Sequence, residues 1–200
     1  MFLKINLVLI TLFLSLITLP VDAKTGSGKA TETEISLVDG ITMDEEGNVY
    51  IAMREHNMIS RIDTKGMMTG YAGSGESGFS GDGGPAIKAN LKTPAGLAFD
   101  PKGNLYIADR ENHRIRKIDT SGNISTFAGI GEAGFSGDNG PAVKARLNLP
   151  SGVAIDKKGN LYISDRSNDR IRVVDKKGMI RTYAGSGVSG FQGEIGRAHV

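Results

Sequence analysis

Arg54, Arg110 and Arg166 recur at a spacing of 56 residues, and each opens a short polar segment. The segments read Arg54-Glu55-His56-Asn57, Arg110-Glu111-Asn112-His113 and Arg166-Ser167-Asn168-Asp169. A guanidinium presents a planar fork of N–H donors that matches a carboxylate, a phosphate or an acidic sugar. Held on one face, the three would clamp such a group, with His56, Asn112, His113 and Asn168 as further polar contacts. The competing expectation is that each arginine pairs with a nearby acid such as Glu55 or Glu111 and only solvates a rim.

Asp82 and Asp138 are a second set, in Gly-Asp-Gly-Gly-Pro and Gly-Asp-Asn-Gly-Pro. Glycine-rich loops hold Ca²⁺ when about six to eight oxygens converge. One carboxylate per loop supplies few of them, so the alternative is an Asp that accepts backbone N–H bonds and shapes a turn. Nucleophilic and zinc chemistry find little support. There is no Cys, and no Gly-x-Ser-x-Gly elbow. His56 aligns with Asn112, and His113 with Asn57, so two offset histidines do not make a three-ligand zinc site. With 24 Lys and Arg against 22 Asp and Glu, the net charge of +2 leaves no electrostatic footprint for nucleic acid.

What positions these residues is a repeat. Gly47-Asn48-Val49-Tyr50-Ile51-Ala52 returns at 103–108 and again at 159–164. Asp44, Asp100 and Asp156 follow the same spacing, and Gly-Phe-Ser-Gly-Asp at 78–82 returns at 134–138. Each unit reads as four short strands. In the second these are 96–100, 104–109, 114–119 and 124–128, separated by Gly- and Asn-bearing turns. Leu105-Tyr106-Ile107-Ala108 is apolar on both faces, where a half-exposed strand would alternate. Two buried faces mean that each small sheet lies between neighbours, as in a β-propeller. Pro85 to Asn90 and Pro141 to Arg146 predict a short helical turn. Phe79 and Phe135 are expected to plug the gaps between blades.

Asn104-Leu105-Tyr106-Ile107-Ala108-Asp109, followed by Asn112-His113-Arg114-Ile115, resembles the NHL repeat. The Gly-Phe-Ser-Gly-Asp-Gly-Gly-Pro-Ala stretch at 78–86 is similar to a form found in secreted bacterial surface proteins. The resemblance covers residues 35–193 and implies an all-β propeller of four-stranded blades, six to a ring, of which three are present here as units 35–90, 91–146 and 147–193. It implies a non-catalytic binding or scaffold module for a protein or glycan. The alternative it leaves is a propeller hydrolase, lactonase or lyase whose site lies in other blades.

Residues 1–23 read as a signal peptide: Lys4, an apolar run to Leu19, Pro20, then Val21-Asp22-Ala23 at a cleavage site. That reading places the product in the periplasm, at the cell surface or outside the cell, with no stable membrane span after cleavage. Residues 24–34 read as a linker, and no disulfide can form. Residues 194–200 abandon the repeat, and the expectation is a tail of translated sequencing adapter on a chain that is part of a longer protein.

Overall fold

The computed structural model describes residues 28–190, which form three antiparallel β-sheets, one per repeat unit. The N-terminal apolar run, Phe191 and the 194–200 tail lie outside the described residues. The first sheet contains β1 (Gly28–Lys29), β2 (Val38–Met43), β3 (Val49–Met53), β4 (Met58–Ile62) and β5 (Met67–Ala72). The second contains β6 (Pro94–Phe99), β7 (Leu105–Asp109), β8 (Arg114–Ile118) and β9 (Ile124–Ala128). The third contains β10 (Gly140–Pro141), β11 (Gly152–Ile155), β12 (Leu161–Asp165), β13 (Arg170–Val174) and β14 (Met179–Ala184).

Within each sheet the four long strands lie in chain order, which tight antiparallel connections dictate. The turn between the first two shows the local cause. Asp100 Oδ1 accepts the Lys102 and Asn104 amides, each at 2.9 Å. Its Oδ2 accepts Asn104 Nδ2 at 2.7 Å and the Tyr106 hydroxyl at 3.3 Å. Gly103 completes the turn at φ +82°, where a side chain would be strained. Asp44 with Asn48 and Tyr50, and Asp156 with Asn160 and Tyr162, repeat the device.

The doubly apolar strands are buried on both sides. Leu105 and Ile107 pack toward the first sheet, against Tyr50, Ala52, Ile59 and Ala72. Tyr106 and Ala108 pack toward the third, against Leu161, Ile163 and Val174. Burying each large aliphatic side chain contributes about 1.5–3 kcal/mol. The first strands β2, β6 and β11 lie side by side, and the Gly96 amide donates to Ser151 O at 2.9 Å.

One feature departs from the sequence reading. Each linker between sheets adds a short outer strand to the sheet that follows it. Gly140–Pro141 pairs with Met179 and Ile180, Pro85 bridges Asn123, and Gly28–Lys29, inside the expected linker, pairs with Met67 and Met68. A two-residue strand of Gly and Pro has no pattern that would announce it. The linkers also form the expected turns, as 3₁₀ helices Ala86–Lys88 and Ala142–Lys144, whose buried alanines fill the inter-sheet seams.

Candidate binding face

The loop after the second strand of each unit and the linker after the fourth emerge on one face, as antiparallel order requires. Each loop ends in the left-handed region, at Asn57 (φ 52°), His113 (φ 53°) and Asp169 (φ 50°). These side-chain types tolerate that backbone, and it turns the chain into the third strand. Arg54, Glu55, Asn57, Ser77, Thr93, Arg110 and Glu111 line one shallow depression of about 450 Å³ on this face.

The arginines do not pair with Glu55 or Glu111. Arg54 Nη1 lies 3.5 Å and Arg110 Nη1 3.8 Å from the same oxygen of Asp39. Glu111 pairs with Lys92 instead, at 3.5 Å. Asp39 is particular to the first unit, since Ala95 and Ser151 stand at its repeat positions. Arg166 is exposed, makes no ion pair among the described residues, and lines a second depression with Arg170. His56 is exposed as well, with Nδ1 3.4 Å from the Ser36 hydroxyl.

Asn112 and Asn168 are turned inward and hold a buried network that the sequence reading did not reach. Arg116 and Arg172, both 0 % exposed, occupy the middle of the third strands. Arg116 donates to buried Asp109 at 3.2 Å, to Asp82 at 2.7 Å and to Ser80 O at 3.0 Å. The other oxygen of Asp82 accepts the Thr126 hydroxyl at 2.6 Å. Asn112 Nδ2 bridges Asp109 Oδ2 at 2.8 Å and Gly78 O at 2.7 Å, and the Lys92 amide donates to Asp109 Oδ1 at 2.8 Å. The third unit repeats every contact through Arg172, Asp165, Asp138, Ser136, Thr182, Asn168 and the Asn148 amide.

Both carboxylate oxygens of Asp82 and of Asp138 therefore have protein donors. Among the described residues, no group of three or more His, Cys, Asp or Glu is placed to hold a metal ion. Burial pushes the Asp109 and Asp165 carboxyls above the usual carboxylate range, against the pull of their amide and guanidinium donors. Phe79 and Phe135 do not plug the gaps between blades. They are 43 % and 41 % exposed and lie against Arg114 and Arg170, with guanidinium carbons 3.9 and 4.0 Å from the ring centroids. Alanine linker turns fill the seams in their place.

The insertion thus clamps the following sheet through a fixed set of partners. The first unit lacks the whole set, with Met53, His56, Ser60 and Gly70 at the positions of Asp109, Asn112, Arg116 and Thr126. That joint absence was the signal available in the sequence.

His113 has a structural contact of its own. Its Nδ1 accepts the Leu149 amide at 3.2 Å, as Asn57 Oδ1 accepts the Thr93 amide at 3.0 Å. Partial burial depresses its pKa from the ordinary 6.5, the main opposing effect being Glu111. A depressed histidine is neutral in the fold while the unfolded chain takes up the proton first. Its stabilisation is complete above pH 6.5 and is lost as pH falls below that value. His113→Asn keeps the acceptor without the titration. The variant is expected to match the parent near pH 8 and to exceed it near pH 5 by about 1 kcal/mol, the scale of one hydrogen bond. Urea denaturation at the two pH values checks this.

Comparison with known proteins agrees with this architecture. The family model for the NHL repeat matches residues 91–118, and that for the teneurin NHL domain matches residues 130–190. The chain is 31% identical over 152 residues to Protein SUPPRESSOR OF QUENCHING 1, chloroplastic, of Arabidopsis thaliana, covering 72% of the chain and 14% of that protein. It is 41% identical over 104 residues to Teneurin-4 of Homo sapiens, covering 46% of the chain and 4% of that protein. Among solved structures, an auxiliary nutrient binding protein from Bacteroides thetaiotaomicron superposes with a TM-score of 0.56 at 26% identity, covering 82% of the chain and 44% of that structure. The chain spans less than half the length of each. Repeat spacing, family models and fold converge, and the three sheets are NHL-type blades of a β-propeller.

Proposed function

We propose that these blades form a non-catalytic binding platform for an acidic ligand, carried on a protein or a glycan, and that the arginine face receives it. One observation carries the reading: Arg54 and Arg110 converge on the single carboxylate of Asp39 and pair with neither Glu55 nor Glu111, so two guanidinium forks stand together with one acid between them. Arg166 adds a third fork at the equivalent place in the third blade. The loops that present Arg110 and Arg166 stand on sheets locked by buried networks, so their backbone is set before any ligand arrives, which lowers the ordering cost of binding. A relative of the teneurin type and a solved nutrient binding protein are consistent with a binding role. The apolar run at residues 5–19 supports export, and the reading needs no bound metal.

Screening the chain against arrays of acidic glycans and acidic peptides tests this. Binding is expected to weaken with added salt and to fall at least about tenfold, some 1.4 kcal/mol, in Arg110→Ala. The melting temperature of that variant should stay close to the parent's, since the side chain makes only a partly exposed ion pair. Binding that ignores both salt and the substitution would remove the arginine face from the account. Turnover of a lactone by the purified chain would replace the binding role with catalysis.

A further inference from the structure

The turns after the first and third strands of each unit emerge on the face opposite the arginines, as antiparallel order requires. There the three units line a depression of about 700 Å³, larger than the one between Arg54 and Arg110. That size lies in the range of small-molecule sites, which combine apolar walls with a few polar groups. One wall is aromatic. Tyr50 lies edge-to-face with Tyr71 at 4.8 Å between ring centroids, and with Phe99 at 4.9 Å. These rings belong to the closed seam between the first two sheets, away from both ends of the stack.

The wall offers one polar group. The Tyr50 hydroxyl donates to Asp44 at 3.0 Å, whereas the Tyr71 hydroxyl has no hydrogen bond among the described residues. The seam between the second and third sheets differs. Tyr106 meets Phe127 there at 4.9 Å, and Ile155 stands at the place of Phe99. That seam has neither the third ring nor the second phenol.

The rim is divided by charge. The first turn reads Asp44-Glu45-Glu46-Gly47, and its counterparts read Asp100-Pro101-Lys102-Gly103 and Asp156-Lys157-Lys158-Gly159. The three aspartates are engaged in their own turns. Exposed Glu45 and Glu46 remain on the first-blade side, and exposed Lys102 and Lys157 on the other. None of the four forms an ion pair among the described residues. The sign of the rim changes once, between the first and second blades, where the aromatic wall stands.

We propose that this depression binds a small zwitterion, an amino acid or a short peptide with an apolar side chain. Its ammonium faces Glu45 and Glu46, its carboxylate faces Lys102 and Lys157, and its side chain packs on Tyr50, Tyr71 and Phe99. The Tyr71 hydroxyl supplies a hydrogen bond to its backbone. The depression lies opposite the arginine face, so this stands independently of what that face binds.

Calorimetric titration of the full chain tests it, using a tripeptide with a central phenylalanine, its N-acetylated form, its C-amidated form and free phenylalanine. The unblocked tripeptide is expected to bind saturably below about 1 mM. Acetylation and amidation should each weaken binding about threefold or more, the scale of a partly exposed ion pair. Glu45→Gln combined with Glu46→Gln should erase the penalty of acetylation, and Lys102→Gln combined with Lys157→Gln that of amidation. Tyr71→Phe, which installs the residue type found at 127, should weaken binding roughly threefold by removing one hydrogen bond. Thermal melts of these variants separate lost contacts from lost folding. Equal affinity for free phenylalanine assigns the single amino acid, and weaker affinity assigns the peptide. Absence of saturable binding by all four ligands overturns the proposal. So do blocking penalties that persist unchanged in the substituted chains, because the charged ends would then lie elsewhere.

Discussion

Asp109→Met is expected to destabilise the second blade by about 3–5 kcal/mol, and adding Arg116→Ser should recover much of that loss. Asp109 and Arg116 are both 0 % exposed, and their 3.2 Å contact lies in the blade interior. Removing the carboxylate leaves a buried guanidinium with Asp82, itself partly exposed, as its one remaining ionic partner. It also strips the acceptor from the Lys92 amide and from Asn112. Removing both charges gives the pairing that the first blade already uses, where buried Ser60 places its hydroxyl 4.0 Å from the Met53 sulfur. Recovery should stop short of complete, because the insertion still offers Asp82 and Ser80 O to an arginine no longer present. Urea denaturation of the two single variants and the double variant closes the thermodynamic cycle. Equal losses in Asp109→Met and in the double variant would show that the buried charge is not the source of the cost.

The clamp also marks how far residue types alone could be read. Repeat, strand order and double burial were legible because each leaves a periodic trace in residues such as Leu105 to Ala108. Arg116 was not. An arginine in a strand looks like a solvent-facing residue, and its partners lie 7 and 34 residues away. Asn112 and Asn168, read as ligand contacts because they lie in loops, point inward for the same reason. Asp82 and Asp138, read as Ca²⁺ candidates or turn formers, hold an arginine and a threonine of the next blade. Asp39, the acid shared by Arg54 and Arg110, escaped notice because it lies in a strand and has no counterpart in the other units. Only the comparison of units, with Met53 and Ser60 replacing Asp and Arg together, carried that information.

Gly96→Ala should cost about 3 kcal/mol, at the upper end for overpacking, because its Cβ would meet backbone that cannot step aside. The methyl group would lie 2.7 Å from Gly152 Cα and 2.8 Å from Ser151 O, and it would oppose the 2.9 Å hydrogen bond from the Gly96 amide to that carbonyl. Gly66→Ala separates this crowding from simple backbone strain. Gly66 has φ +77° and nothing within 4 Å of the added atom, so about 1 kcal/mol is expected there. Thermal melts of the two variants should rank Gly96→Ala well below Gly66→Ala. If they melt together, the first strands are not held at contact distance and the seam between the second and third blades is looser than described.

The outermost strands also decide how these sheets behave toward strangers. An uncovered β edge is a template on which other chains can stack into fibrils. Here the rim residue opposite Asn123 is Pro85, and the one opposite Met179 is Pro141. Neither proline has an amide hydrogen to offer a newcomer. In the first blade the same place is taken by Lys29, opposite Met67, whose ammonium must stay hydrated. Lateral zippering toward amyloid is thus opposed at the start of the fourth strand of every blade, where a rim proline or a charged lysine meets a newcomer first.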